Sequence, residues 1–361
     1  MSAYNIHGLF TYVTDERYKT PHLDRSHYYF KQKQAESTPE LDISLGHKFK
    51  QSSESLGHEA HKYEKIGDKF AITSMDNTVA INNECDKLYC TKQPPIEIRN
   101  IVEGLFRKRL LDEGIAMIHA SAVSYNGDTY VFPAWRHTGK TNTMLSFLME
   151  GASYLGDDRV LITKDGQIYS FPTMIHLLMY NYNSFPELLD DSQIDSVRIA
   201  ISKLISTVAN NINHQDISSE LAHWSSLAGP DNWKRVENIF SNSRVLSKED
   251  VSEVFFLQTS NNINEMRLDS VSSNYMSTTL KAINEYEWNQ ELENMWLAHD
   301  ILFPERESKV DKFEKFKKRE KEVISQFSSS VSTNKLEVPP EELWDQEMKS
   351  NIINKIIQNN T

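Results

Sequence analysis

Residues suited to binding phosphate are concentrated in the middle of the chain. The run VFPAWRHTGKTN at 131–142 ends in Gly139, Lys140 and Thr141, the end of the pattern G-x-x-x-x-G-K-[ST] found in phosphate-binding loops. In such loops the lysine reaches the β and γ phosphates, the hydroxyl binds Mg²⁺, and N–H groups at the start of the next helix surround the anion. The run therefore predicts a phosphate site, although Ala134 replaces the first glycine of the pattern.

The residues inside this loop are larger than the small residues that usually line phosphate-binding loops. Trp135, Arg136 and His137 are bulky, and Arg136 either adds charge at the phosphates or points to solvent. The methyl group of Ala134 restricts the backbone and narrows the cradle without abolishing it. For the motif taken alone, a chance GKT in a surface turn is the alternative.

Two adjacent carboxylates follow the loop. Asp157 and Asp158 lie in YLGDDRV, beside the strand that comes after the loop helix. In a parallel or mixed sheet this strand lies near the loop, so its carboxylates face the phosphates. Phosphoryl transfer to a hydroxyl needs one carboxylate to hold Mg²⁺ and another to accept the proton. A solvated GDD turn is the alternative, but the loop ahead of it favours the catalytic interpretation.

A histidine precedes the loop. His119 lies in the apolar run IHASAV, where a histidine is either a hydrogen-bonded core group or, given its order relative to the loop and aspartates, a phosphate contact.

The elements around these residues suit such a site. IAMIHASAVSYNGDTYVFPA predicts two strands joined at Asn126-Gly127, a strong hairpin signal, and TNTMLSFLMEG predicts a helix that ends at Gly151. YLGDDRVLITKDGQIYSFP predicts two further strands around Asp165-Gly166. A phosphate loop requires this order of strand, loop, helix and strand.

The segment from 114 to 162 resembles the catalytic domain of HPr kinase/phosphorylase and its wider kinase relatives, which include the kinases of lasso-peptide biosynthetic clusters. The shared order is a histidine in an HAS strand, a hairpin, a phosphate loop, a helix ending in glycine, and a double aspartate. The resemblance is clear over about fifty residues and looser over 1–285. It implies a mixed α/β (α+β) fold like that of phosphoenolpyruvate carboxykinase, with a mixed sheet carrying the loop.

The resemblance also implies roles for individual residues. Lys140 would contact the nucleotide phosphates, Asp157 would accept the proton, and His119 would contact the transferred phosphate. Thr141 would bind Mg²⁺ with the help of Asp158. Contacts to ATP are implied along the loop and the first helical turn, at Ala134, Trp135, Arg136, His137, Thr138, Gly139, Lys140, Thr141 and Asn142. The segment with which true HPr kinases contact their protein substrate is missing, so HPr itself is not the expected acceptor.

Bulk composition narrows the other possibilities. The 361 residues allow about two to three domains, and no apolar run approaches the length of a membrane span. The net charge of −12 argues against nucleic-acid binding, and two cysteines are too few for a disulfide scaffold. The N-terminus lacks the features of a secretory signal. We expect a cytoplasmic protein without membrane or nucleic-acid partners, and a homo-oligomer remains open.

Three domains are predicted along the chain: a β-rich accessory domain at 1–95, a nucleotide-binding catalytic domain at 96–288 and a helical extension at 289–361. YNIHGLFTYVT, DKFAITSM and NTVAIN predict strands, with long loops between 31 and 62. Helical spacing predicts a helix that begins after Pro95 and stops near Gly114. The rest of the pattern predicts helices over most of 175–250 and of 275–325, a strand in VSEVFFLQTS, a linker in SSSVSTNKLEVPPEE and a last amphipathic helix in LWDQEMKSNIINKIIQ.

Two principal functions remain open. The first is an ATP- and Mg²⁺-dependent kinase that phosphorylates a hydroxyl, expected to be that of a serine, in a peptide, protein or small molecule. The second is a module that senses a nucleotide or phosphate without catalysis. A degenerate structural or partner-binding protein is a third possibility.

Overall fold

The structure is a computed structural model that describes residues 1–17, 20–50, 52, 54–58, 61–188, 233–260, 266–340, 344 and 346–358. In this part of the chain, several sheets with mixed strand directions are packed with helices, which confirms the mixed α/β class. The helices are α1 (Pro21–Ser26), α2 (Glu97–Asp112), α3 (Lys140–Met149), α4 (Met179–Ser184), α5 (Val236–Ile239), α6 (Ser273–Asn284), α7 (Gln290–Leu302), α8 (Lys309–Ser330) and α9 (Gln346–Ile357). None of these combines the length and apolar character needed to cross a membrane.

The N-terminal part is a nine-stranded sheet. Its strands are β1 (Ser2–Ile6), β2 (Phe10–Thr14), β3 (Lys31–Gln32), β4 (Leu41–Ser44), β5 (Ser55–His58), β6 (His61–Ile66), β7 (Lys69–Ser74), β8 (Asn77–Ile81) and β9 (Lys87–Cys90), in the order β3-β1-β2-β4-β9-β8-β7-β6-β5. The strands predicted from YNIHGLFTYVT, DKFAITSM and NTVAIN are confirmed. The loops predicted between 31 and 62 are wrong in part, because β3, β4 and β5 lie there. In β4, buried Leu41 and Ile43 alternate with exposed Asp42, a pattern too short to stand out among charged neighbours.

Two further sheets carry the centre of the chain. The four-stranded sheet contains β10 (Ile115–Ile118), β14 (Val160–Thr163), β15 (Gln167–Tyr169) and β18 (Lys248–Asp250), in the order β10-β14-β15-β18. The six-stranded sheet contains β11 (Ala120–Tyr125), β12 (Asp128–Pro133), β13 (Ser153–Gly156), β19 (Glu253–Thr259), β20 (Arg267–Ser270) and β21 (Ser332–Val338), in the order β13-β11-β12-β19-β21-β20. A small pair is formed by β16 (Ile175–His176) and β17 (Trp233–Lys234).

The predicted hairpin and helix around the loop are confirmed. The β11–β12 turn has positive φ at Asn126 (56°) and Gly127 (94°), as a two-residue hairpin requires. The helix over 141–151 is found as α3. The prediction of one strand through His119 is wrong, because β10 and β11 belong to different sheets. The apolar run continues across this break, so the sequence gives no sign of it.

The C-terminal part is not wholly helical. The segment predicted as a linker forms β21, which pairs in parallel with β19 over all seven of its residues. Its Ser and Thr content is typical of a linker, yet Leu336 and Val338 are fully buried. The predicted strand at 253–259 and the helices over 275–325 and 346–357 are confirmed, with a π-helical turn at Glu285–Asn289 between α6 and α7.

Between 175 and 250, the described residues contain only short elements. The helix expected around 194–212 lies outside the described residues.

Both faces of the six-stranded sheet are covered. In β12, Tyr130 and Phe132 enter a core with α3 and α9, whereas Val131 enters a core shared with the N-terminal sheet and α2. The predicted domain boundary near residue 95 therefore crosses a continuous hydrophobic core, and the three-domain division stays a prediction. The loop and α3 therefore emerge from the edge of a sheet that is packed on both faces.

Candidate active site

The loop (residues 134–139) joins the end of β12 to the start of α3. Gly139 has φ +89°, a left-handed conformation that suits glycine, and a Cβ atom there would lie 3.0 Å from the indole of Trp344. The carbonyl oxygen of Gly139 accepts hydrogen bonds from the backbone N–H (2.8 Å) and the hydroxyl (2.9 Å) of Thr143. The first N–H groups of a helix lack intrahelical partners and carry partial positive charge. This end of α3 opens on a pocket of about 300 Å³.

His119 and the two aspartates reach this pocket from neighbouring strand breaks. The antiparallel pair β11–β13 belongs to the six-stranded sheet, and the antiparallel pair β10–β14 belongs to the four-stranded sheet. The chain crosses between the sheets at His119 and crosses back at Asp157–Arg159. Asp158 has φ +66° at the second crossing. Because the strands pair on both sides of the breaks, the two crossings lie side by side.

The ammonium group of Lys140 is held between His119 and Asp158. Its Nζ lies 2.9 Å from Nε2 of His119 and 3.3 Å from Oδ1 of Asp158, and the lysine is buried. An ammonium group only donates, so Nε2 of His119 accepts, and Nδ1 donates to the carbonyl oxygen of Asp158 at 3.0 Å. Burial, followed by the charge of Lys140, lowers the pKa of His119 to about 3. His119 is therefore a neutral ring that orients the lysine.

The two aspartates differ in their surroundings and acidity. Burial, followed by the charge of Asp158, raises the pKa of Asp157 to about 7. Burial also acts to raise the pKa of Asp158, but the charges of Lys140 and Arg159 outweigh it, so this pKa lies well below its usual range. Half of the Asp158 side chain is exposed, whereas Asp157 is buried. Neighbouring carboxylates with separated pKa values are suited to different tasks.

The hydroxyl of Thr141 points to Asp157. It donates to Oδ1 and Oδ2 at 3.3 and 3.2 Å, so the structure brings Thr141 next to Asp157 rather than Asp158. Among the described residues, no group of three His, Cys, Asp or Glu side chains is arranged to hold a metal. Mg²⁺ is commonly bound through one or two carboxylates together with substrate phosphates. The hydroxyl and the two carboxylates fit that mode of binding.

An arginine-rich wall faces the loop, and the sequence interpretation missed it. Arg99, Glu103 and Arg107 lie four residues apart on α2 and line the pocket together with Arg159. The carboxylate of Glu103 binds Arg159 through Nη2 at 3.2 Å and lies 3.9 Å from Nε of Arg99. The four-residue spacing of charges within IEIRNIVEGLFRKRLL was the available signal, because it puts them on one helix face.

Arg107 carries unused donors. Its Nη2 binds Glu320 at 2.5 Å and Asn289 at 2.8 Å, and the guanidinium lies against the ring of Trp288. Its Nε and Nη1 atoms are buried without a hydrogen-bond partner in the described part of the chain. Buried donors are nearly always satisfied, and here the rings of Trp288 and Phe316, which both lie against the guanidinium, take the place of hydrogen-bond acceptors.

The turn between α6 and α7 clamps the loop from outside. Arg136 binds Glu287 through Nε at 2.8 and 2.9 Å and through Nη2 at 2.8 Å. Trp135 stacks on Tyr286 at 4.2 Å between ring centroids. Because Trp135 is 43% exposed and does not line the pocket, its indole leaves the cavity open. The turn is π-helical, a feature frequent at functional sites.

The structure brings together most of the residues that the sequence pointed to. The pocket is lined by Arg136, His137, Thr138, Gly139, Lys140, Thr141, His119, Asp157 and Asp158. Three predicted nucleotide contacts lie elsewhere. Ala134 continues β12 as a buried bridge to Leu257, Trp135 packs outside, and Asn142 is buried on α3, where its amide oxygen accepts from Asn181 at 2.7 Å. Ala134 thus occupies a sheet position, which a methyl group fills without narrowing the pocket.

Comparison with known proteins adds little. No protein-family model matches the chain, and no curated protein matches it. Among solved structures, it is similar to one described as the Hpr(Ser) kinase/phosphatase from Coxiella burnetii, at 8% identity and a TM-score of 0.29, over 68% of this chain and 99% of that one. At this identity and TM-score, the likeness assigns the chain to no family.

Proposed function

We propose that the pocket binds ATP with Mg²⁺ and that the protein is a kinase acting on a hydroxyl, that of a serine in a peptide, protein or small molecule. The observation that carries the proposal is the meeting of the α3 N-terminus, Lys140, His119 and the two aspartates in one pocket. A helix N-terminus and a buried lysine favour phosphate, and Arg99 and Arg159 add positive charge to the lining of the same pocket.

Each side chain has a distinct task in this proposal. Lys140 binds the β and γ phosphates, and neutral His119 orients it. Asp157, with its raised pKa, takes the proton of the acceptor hydroxyl as that oxygen attacks the γ phosphorus and the bond to the ADP oxygen breaks. Asp158 remains an anion and, with Thr141, would hold Mg²⁺, which supplies charge neutralisation at the phosphates.

The alternative is a nucleotide sensor without turnover. The pairing of Lys140 with Asp158 and the engagement of Arg136 by Glu287 favour it, since both cations already have anionic partners. Tight ATP binding without ADP formation distinguishes a sensor from a kinase.

Transfer is tested with radiolabelled ATP, Mg²⁺ and serine-containing peptides, with ADP release to water as a second readout. We expect Asp157→Asn to lower transfer by about a hundredfold or more and to leave ATP binding in place. Asp165→Asn, in an exposed turn, is the matched control and keeps full transfer. If Asp157→Asn transfers phosphate like the natural protein, Asp157 is not the base.

A further inference from the structure

A second cavity lies against the other side of α2. It has a volume of about 660 Å³ and is bounded by α2, α7, the first half of α8 and the turn at 83–85. We call it the basic groove. Among the residues that the structure describes, it shares only Gly104 and Leu292 with the lining of the active-site pocket.

The floor of the basic groove is apolar. Leu111, Phe313 and Phe316 are buried there, and Leu105 and Trp296 remain partly exposed. Phe313 and Phe316 stack at 5.4 Å between centroids. Such a floor accepts one large apolar side chain.

The rim of the basic groove is strongly cationic. Its positive residues are Lys108, Arg306, Lys309, Lys312, Lys315 and Arg319, against two acidic ones, Glu84 and Glu307. This excess is local, because the whole chain carries a net charge of −12. The rim therefore attracts anions that the remaining surface repels.

Two of these cations are available to a ligand. Lys312 pairs with Glu307 at 2.7 Å, and Arg319 pairs with Asp112 at 2.9 Å. The side chains of Lys108 and Lys315 are exposed and make no ion pair or hydrogen bond within the described ranges of the chain.

We propose that the basic groove docks a segment of a partner protein in which acidic residues flank one large apolar side chain. The apolar floor would receive the large apolar side chain of the partner, in the way that pockets at protein interfaces receive aromatic side chains. The cations lie on α2, on α8 and on the segment between α7 and α8, so they match charges spread along a chain better than a single small anion. The proposal does not depend on phosphoryl transfer in the other pocket.

Fluorescence anisotropy with the full chain tests the docking. The probe is a labelled peptide with one tryptophan between glutamates; the comparison peptides carry alanine for the tryptophan or lysines for the glutamates. We expect binding by the probe alone, with affinity that weakens as salt rises. No binding of the probe would overturn the proposal, and binding of decanoate in its place, measured by calorimetric titration, would point to a small amphiphilic anion.

A charge-reversal pair localises the binding. Lys315→Glu should raise the Kd of the probe about tenfold. Lys318→Glu, at an exposed position of α8 outside the groove lining, should leave that Kd nearly unchanged. Circular dichroism checks that both variants fold. Equal effects of the two substitutions, or none from either, would overturn the assignment to this groove.

Discussion

The active-site pocket and the basic groove lie on two sides of the same helices but use charge in opposite ways. In the pocket, Lys140 and Arg107 are buried and already paired. In the groove, the side chains of Lys108 and Lys315 are exposed and make no ion pair or side-chain hydrogen bond with the other described residues. The two cavities are separated by a wall in which Gly104 faces the side chain of Leu292.

This difference indicates two kinds of ligand. Buried, paired charges are preorganised, which favours a small polyanion held in one geometry. Exposed lysines keep their conformational freedom and give long-range attraction that salt weakens, which favours an extended partner. The helix α7 and the turn before it carry residues of both cavities, including Glu287 and Trp296.

The largest expected effect comes from Lys140→Met, which keeps the aliphatic stem and removes the charge. Losing a charge-assisted hydrogen bond to phosphate should raise the Kd for MgATP about a hundredfold, measured by calorimetric titration. Binding of the acidic probe to the groove should not change. Lys164→Met, in an exposed turn, is the control, and equal ATP affinities of the two variants would contradict the phosphate role of Lys140.

Asp157→Asn should alter stability in a pH-dependent way. The folded-state pKa of Asp157 is raised from its usual 3.8 to about 7, so the stability that the protonated form contributes is present below about pH 4 and is lost as pH rises towards 7. Asparagine stays neutral throughout. Between pH 5 and pH 8, the free energy of unfolding of the variant should therefore rise by on the order of 2 kcal/mol relative to that of the natural protein, measured by denaturant unfolding. A pH-independent difference would show that Asp157 ionises normally.

Glu287→Gln tests the clamp on the loop. Gln cannot hold Arg136 with a full charge, so the loop should lose order and nucleotide affinity should fall about threefold to tenfold. Glu291→Gln is the control, because Glu291 also lines the pocket but accepts from Asn100 instead. An unchanged affinity in Glu287→Gln would show that nucleotide binding does not depend on this contact, and a higher affinity would show that Glu287 keeps Arg136 from binding phosphate.

The smallest effect is expected from Gly104→Ala at the shared wall. Alanine favours the middle of a helix by about 0.5–1 kcal/mol, but its methyl would lie 3.0 Å from a terminal carbon of Leu292. The gain in helix preference and the cost of the close approach nearly cancel, so the free energy of unfolding should change by less than about 1 kcal/mol. A larger loss of stability, measured by thermal unfolding, would show that the side chain of Leu292 cannot move to make room for the methyl group.

The local parts of this site were accessible from sequence. The hairpin at Asn126-Gly127, the loop ending in Lys140 and the helix after it depend on neighbouring residues, whose turn and helix preferences act over a few positions. The grouping of His119 with the aspartates followed from their order along the chain and from the family resemblance.

The parts set by distant contacts were not accessible. The breaks at His119 and at Asp157–Arg159 depend on which sheet each flanking strand joins. The pairing of Arg136 with Glu287 spans 151 positions along the chain. The strand β21 has a linker's composition and is ordered by its buried place beside β19, which no local pattern encodes.

A crystal structure with a non-hydrolysable ATP analogue and Mg²⁺ tests the central claim most directly. We predict the triphosphate at the N-terminus of α3, with Nζ of Lys140 moved from Asp158 onto the phosphates and with Asp157 facing the terminal phosphate. An analogue bound elsewhere, or a pocket that stays without nucleotide at saturating concentration, would contradict the claim.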